Sequence, residues 1–480
     1  MTPDSRPAPQ APVRELREAA RQQARKLSAG LGLTIAVAAA LLAVVFFVLL
    51  DYRLNQAPHR LYKILAGIGL FCGILMRPRV GLFLLPILTP LLPWLPQLSF
   101  GGINPQNVLL GSVFLAWAIG RVLNRQSVFR PSRLGWTIGA LMAVALLSVV
   151  RGGAIPTGYY YDARASAHTL FRDCVTFAIY FIALAMARGP RDRKILAWSV
   201  VLGLLIESVI TAKYGQSGSG GRAVGTIGQS NELGAFLAMY VVMAAALLVA
   251  ARHWFSRLVL FSTVALGTYA VLLSVSRGAF VALGVGLFYA AIRSSRAFTV
   301  ILIAAVLTSP FWAPQDAKDR MTGTRVQVEG TDEAELEGSA QVRLDTWRVI
   351  ITLVMNHPID GVGFGGLGNV LPKAGEAAGV GVVETAHNTY LRFLAEMGIF
   401  GFFLFCLLLW KCWKLAEDAR RAASSRFDRQ LAVGLAASTL AMAVSCIFGD
   451  RFFSILVTGN FWMSCALVND ILLERREVGA

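Results

Sequence analysis

The stretch from Leu233 to Ala251, LGAFLAMYVVMAAALLVAA, runs nineteen residues without a charge. As a helix it would be about 28 Å long, close to the thickness of a bilayer's hydrocarbon core. Apolar runs of this kind recur near residues 31–50, 62–76, 80–98, 107–123, 134–150, 173–188, 195–212, 257–275, 279–293, 297–313, 389–410, 430–448 and 454–472. The runs at 62–76, 279–293 and 297–313 are short and carry the weakest span signals. The chain has 480 residues, 56% of them hydrophobic and only 15% charged, with a mean hydropathy of +0.59. These features predict an all-α, polytopic integral membrane protein with about 12 to 14 transmembrane helices.

The distribution of cations supplies an independent test. Arg6, Arg14, Arg17, Arg21, Arg25 and Lys26 precede the first run, and no small-residue processing site follows it, so the N-terminus is expected in the cytoplasm. Alternating sides from there puts RPR at 77, RVLNRQSVFRPSR at 121, RGPRDRK at 188, RHWFSR at 252, RSSR at 293, the 411–429 stretch and the tail with Arg475 and Arg476 on that same side. All are short and basic, as the positive-inside rule requires. The net charge of +17 is therefore mostly an insertion signal, with some attraction to anionic membrane lipids. A nucleic-acid partner is not expected, because such binding needs a clustered basic face. The predicted divisions are a basic segment at 1–30, a first bundle at 31–313, a large periplasmic loop containing amphipathic helices at 314–386, further membrane helices at 387–473 and a cytoplasmic tail at 474–480.

The six cysteines show no CxxC spacing, and the five histidines show no HExxH or paired ligand pattern. Neither a disulfide framework, a metal site nor a cofactor is indicated. What remains is the opposite face. It carries three extended segments, Arg151–Arg172, Lys213–Glu232 and Pro314–Ala386, and it holds arginines that insertion does not require, among them Arg151, Arg172, Arg222, Arg277, Arg320, Arg325, Arg343, Arg348, Arg392 and Arg451. Guanidinium groups near a membrane surface suit phosphate binding, although pairing with headgroups or loop carboxylates is an equal alternative for any single one.

Arg277 interrupts two apolar runs in YAVLLSVSRGAFVALGVGLF, where a cation is expensive unless it faces a cavity or an anion. Its neighbour Gly278 would let a ligand or backbone approach. In GGRAVGTIGQSNELGAFL, Ser230 and Asn231 are candidate caps of the following helix, with Arg222 at its anion-attracting N-terminus. SAQVRLDTWRVIITLVMNHPIDGVGFGG predicts an amphipathic helix over about 341–356, with Val342, Trp347, Ile350, Ile351 and Val354 on an apolar face and Arg343 near its start. GVGFGG lacks the strand and the Lys-Ser/Thr of a nucleotide loop. ETAHNTYLRFLAEMGIFG puts His387 and Asn388 at the mouth of a span. A positioned imidazole there can take a proton from an attacking hydroxyl, and a helix cap or a buried hydrogen-bond partner is the alternative. Glu396 and Arg348 are candidates for a supporting role, Glu396 lying nine residues along the same helix on another face.

The blocks GRAVGTIGQSNELGAFL, LLSVSRGAFVAL, RLDTWRVIITLVMNHPIDGVGFG and HNTYLRFLAEMGIFG, in this order between apolar spans, resemble the signature blocks of the O-antigen ligase and O-antigen polymerase superfamily. The resemblance covers roughly residues 200–410. It implies a metal-independent glycosyltransferase that takes a glycan from undecaprenyl diphosphate at the periplasmic side of a bacterial inner membrane. It also implies functional importance for Arg277, Arg343 and His387, with Arg222 in a block similar in many members. Arg222, Arg277 and Arg343 would stabilise the leaving diphosphate and His387 would serve as base, with Asn231, Asn388, Glu396 and Arg348 supporting.

Acceptor choice is poorly marked. A ligase uses lipid A-core oligosaccharide, a polymerase joins carrier-linked repeats, and a protein-directed member uses a serine or threonine hydroxyl; ligase is the expected activity here. A transporter of the same lipid-linked glycan is a different class, and no internal repeat points to it. About two spans exceed the twelve of the family core, and the acidic run EGTDEAELEGSA at 329–340 has no evident counterpart and reads as solvated and mobile.

Overall fold

A computed structural model describes residues 77–94, 105–123, 129–154, 160–215, 221–312 and 338–479, together with residues 125, 314, 315 and 318 and two short strands, 325–327 and 334–336. The expected basic N-terminus and the runs at 31–50 and 62–76 lie outside the described residues. The helices in chain order are α1 (Pro78–Leu88), α2 (Pro105–Leu123), α3 (Gly135–Ala154), α4 (Ala163–Met186), α5 (Gly189–Tyr214), α6 (Ser230–Ala250), α7 (Trp254–Leu273), α8 (Arg277–Ser294) and α9 (Arg296–Trp312). After a two-stranded antiparallel hairpin, β1 (Arg325–Gln327) with β2 (Ala334–Leu336), come α10 (Gly338–Asn356), α11 (Leu367–Ala377), α12 (Thr389–Ala422), α13 (Arg426–Ser445) and α14 (Ile455–Gly479). Among the described residues, α3, α4, α5, α6, α7, α12 and α14 are long and apolar enough to cross a membrane.

The stretch that decides the fold is its centre. Residues 233–247 of α6 are all buried, packed against α7, α8 and α13. A helix apolar all round is stable only when surrounded by other helices or lipid. Within the bundle, small residues let backbones approach: a Cβ on Gly434 would lie 3.1 Å from Met243 Cα, and one on Gly203 would lie 2.6 Å from the Pro86 carbonyl. Hydroxyls and a carboxamide fasten the same contacts, with Tyr240 donating to Val457 O at 2.6 Å, Ser438 to Met239 O at 2.5 Å and Asn460 to Pro86 O at 3.0 Å.

Several boundaries differ from the hydropathy reading. Helix α4 begins at Ala163, capped by the Asp162 carboxylate on Ala165 N at 2.9 Å, so much of the segment expected to be extended before residue 173 is helical. Helix α5 begins at Gly189 and draws RGPRDRK into the bundle. Arg193, 1% exposed, binds Asp428 at 3.0 Å, Asp470 at 2.7 Å and Glu474 at 2.6 Å. Arg130 joins Asp470 at 2.6 Å, and Arg133 meets Asp418 at 3.3 Å. These residues gather at one end of the bundle, hereafter the Arg193 end, where α5 and α13 begin and α12 and α14 finish. Apolarity counts charge against a span, whereas a mutually neutralised cluster is tolerated at its end. The acidic run is also more ordered than expected: its residues 334–336 form β2 and 338–340 begin α10.

The 34 residues of α12 exceed what a bilayer needs, and the helix is broken at Gly398, where φ is +63°. The break is filled by the glycine-rich turn after α10. Ile399 N donates to Pro358 O at 3.0 Å, Val362 N to Ala395 O at 2.8 Å and Gly363 N to Glu396 O at 3.1 Å. Backbone groups released by the break thus regain partners, as buried groups must. GVGFGG therefore serves close packing: a Cβ on Gly361, whose φ is +65°, would fall 2.5 Å from the Glu396 carbonyl.

Candidate active site at the His387 end

The opposite end of the bundle collects the starts of α6, α8, α12 and α14 with the ends of α7 and α13. Its hub is the turn CIFGDRFFS, residues 446–454, between α13 and α14. Thr389 N donates to Cys446 O at 2.8 Å, Thr389 Oγ1 donates to Gly449 O at 2.8 Å, and Arg451 N donates to Thr389 Oγ1 at 3.2 Å. The start of α12, immediately after His387, is thereby stitched to the turn. On its other side the turn meets α8, where a Cβ on Gly278 would lie 2.6 Å from Phe448 Cβ. Gly278 thus admits Phe448, not a ligand.

His387 itself is half-buried and has a φ of +47°. The left-handed region is uncommon for residues other than glycine, though histidine visits it more than most, and such strain gathers at functional sites. Asn388 follows as the N-cap of α12, its side-chain oxygen accepting from Leu391 N at 3.2 Å. The segment before His387 is held by α10: Trp347 Nε1 donates to Ala386 O at 2.8 Å, and Val383 N donates to Thr346 Oγ1 at 3.3 Å. That docking puts Arg343 electrostatically within reach of His387. Burial, then Arg343 and Arg451, lower the imidazole from its usual 6.5, while Asp450 opposes them. The neutral imidazole is favoured, the form that can accept a proton.

Arg277 is the first residue of α8, next to a break at Ser274–Ser276 in which Val275 takes a φ of +49°. The two apolar runs it interrupts are thus separate helices. Arg222 braces the same break, donating to Ser274 O at 3.1 Å and to Asn231 Oδ1 at 2.8 Å. The capping expectation needs correction here. Gln229 is the N-cap of α6 and makes no side-chain cap bond, and Asn231 accepts from Arg222.

The other two supporting candidates have partners of their own. Glu396 is buried on α12 before the break and binds Arg392 at 3.2 Å, while Arg392 lies 3.9 Å from Asp173 and stacks over Phe364 and Phe453. Arg348 is exposed and pairs with Asp345 at 3.1 Å. It lies about 140° round the helix from Arg343, away from the His387 side. The covered face of α10 is Val349, Ile350 and Leu353 with Trp347 and Val354 packed beside them, and Ile351 points outward.

Sequence reasoning named Arg451 only as one of many outward arginines and passed over Asp450 beside it. Arg451, buried, binds Glu232 of α6 at 3.3 Å, and burial pulls its guanidinium down from the usual range. Asp450 holds a buried carboxylate oxygen, Oδ1, with no hydrogen-bond partner among the described residues. The available signal was the Asp-Arg pair set in the apolar FGDRFF, which by itself looks like any short connection between spans.

His387, Arg343, Asp450 and Arg451 therefore share one region, and the turn bearing the last two also contacts α8 at the residue after Arg277. No curated protein matches the chain. Residues 262–406, from within α7 to within α12, match the family model described as O-antigen ligase, a span that contains Arg277, Arg343, His387, Asn388 and Glu396. Over those residues the chain is thus similar to the O-antigen ligase family, in keeping with the superfamily that its sequence blocks resemble.

Proposed function

We propose that this membrane protein is an O-antigen ligase, a metal-independent glycosyltransferase moving a glycan from undecaprenyl diphosphate to lipid A-core oligosaccharide, with its His387 end at the periplasmic face of the inner membrane. The observation that carries this reading is the neutral-favoured His387 beside Arg343 and beside Arg451, whose turn also meets the start of α8. In the reaction, the acceptor hydroxyl attacks the anomeric carbon of the donor sugar as His387 removes its proton. The bond from that carbon to the diphosphate oxygen breaks, and undecaprenyl diphosphate leaves with the electron pair. Arg277, Arg343 and Arg222 stabilise the charge that grows on the leaving oxygens. Arg222 also fixes the break from which Arg277 projects, and Asn388 fixes the start of α12 behind the base.

The test uses His387→Ala and Arg277→Ala in protein that remains inserted and folded. Loss of the base is expected to reduce transfer by about 10²–10⁴-fold. Near-normal transfer by both variants would sink the assignment.

A further inference from the structure

We infer that the outward edge of α10 is a membrane-seating surface, with Ile351, Met355 and Ile359 lying on the lipid at the His387 end of the bundle. The inference is independent of the reaction proposed above.

Ile351 and Met355 lie one turn apart on the same side of α10, and Ile359 follows in the turn after it. They are 49%, 76% and 63% exposed. The opposite side of the helix, Val349, Ile350 and Leu353, fills a local core with Leu367, Leu371 and Ala395. The helix therefore has two apolar sides, and only one is covered by the protein. Beside the stripe the character changes to Arg348, paired with Asp345, and to Thr352 and Asn356. An apolar edge bordered by polar groups is the pattern of a helix lying in a membrane interface.

The level of the stripe follows from two independent rulers. On α12, the turn Pro358–Ile359 is bonded at the Gly398 break, and Asp418 at the Arg193 end lies twenty residues further on. That is about 30 Å of helix, one hydrocarbon thickness. On α3, Arg151 binds Asp360 while Arg133, just before the helix, binds Asp418. Those eighteen residues give about 27 Å. Both rulers put Ile359 and Asp360 where the bilayer core ends. Beyond the break, Ile399, Phe400 and Phe403 are exposed on the span itself, so the stripe continues an apolar surface already directed at lipid. Met355 and Ile351 lie about 6 and 12 Å from Ile359 along the chain, within or at the edge of the headgroup layer. Seating this edge also fixes α10, which binds the segment before His387 through Trp347, one turn before Ile351.

The test introduces Ile351→Trp, Met355→Trp, Ile359→Trp and, on the polar side, Thr352→Trp, one at a time into the full chain in lipid nanodiscs. The emission each adds over the parent protein is followed with phospholipids brominated near the top of the acyl chain and with aqueous iodide. Bromolipids are expected to remove most of the added emission at 359 and 355, with a smaller loss at 351. Iodide is expected to act mainly at 352. Iodide quenching at 355 and 359 equal to that at 352 would show a water-facing edge and overturn the inference. Protection from both quenchers would show that protein, such as a second copy, covers the stripe, and would overturn it equally.

Discussion

His387 is held at a φ of +47° between a segment bonded to α10 and a helix start bonded to the hub turn, so its position is determined from both sides. The charged groups facing it act in opposite directions, Arg343 and Arg451 lowering its pKa and Asp450 raising it. Because the shift is downward, a general base here remains neutral at pH 7, and activity is expected to fall only as pH drops below the ordinary 6.5. Asp450→Asn removes the raising influence and should move that acid limb to lower pH. Arg343→Gln removes a lowering influence and should move it to higher pH, with a separate loss of rate if the guanidinium also binds diphosphate. Rate profiles of the two variants check the sign, and shifts in the same direction would rule out the electrostatic account. Arg222, Arg277 and His387 stood out in the sequence because each is a polar residue set against glycine or an apolar run. Asp450 did not, and Arg451 was only one of many outward arginines, since the turn's importance comes from its contacts with Thr389 and Glu232, residues distant in sequence.

At the scale of elements, the break in α12 shows how a span and an outer segment are made one piece. Gly398 combines a φ of +63° with a backbone approach from Ile359 that leaves no room for a Cβ. Gly398→Ala is expected to destabilise the protein by at least about 1–3 kcal/mol, and to separate the turn from α12. Thermal unfolding in detergent measures this, and an unchanged midpoint would mean that the break is not constrained. The amphipathic helix before the turn was legible from its period and from Pro358, and it appears at Gly338–Asn356 against an expected 341–356. Of its expected apolar face, Trp347, Ile350 and Val354 meet the local core while Ile351 turns outward, because periodicity identifies a stripe and not where the protein's cover ends. Of the amphipathic helices expected in the 314–386 segment, α11 was not located: it has eleven residues and a proline inside it, too little signal for a periodic reading.

Across the whole molecule, ionic groups form two belts at opposite ends of the same helices, with the apolar interior between them. The Arg193 belt joins Asp428, Asp470 and Glu474, and the His387 belt joins Arg451 to Glu232 and Arg392 to Glu396. Hydropathy found the helices between these belts with boundaries good to several residues, but it assigned RGPRDRK to a solvent loop because a single sequence does not reveal the carboxylates that neutralise it. Arg193→Ala leaves three carboxylates without their common cation and should cost about 3–5 kcal/mol, seen as a lowered unfolding midpoint. A midpoint within error of the parent would mean that the cluster contributes no stability. The central claim, transfer of a carrier-linked glycan at the His387 end, is tested most directly by reconstituting the purified protein with an undecaprenyl-diphosphate glycan, with and without lipid A-core acceptor, in the presence of a chelator. The account predicts product on the core acceptor from the parent protein and none from His387→Ala. Carrier-linked chains that lengthen without acceptor, or no reaction in either vessel, would contradict it.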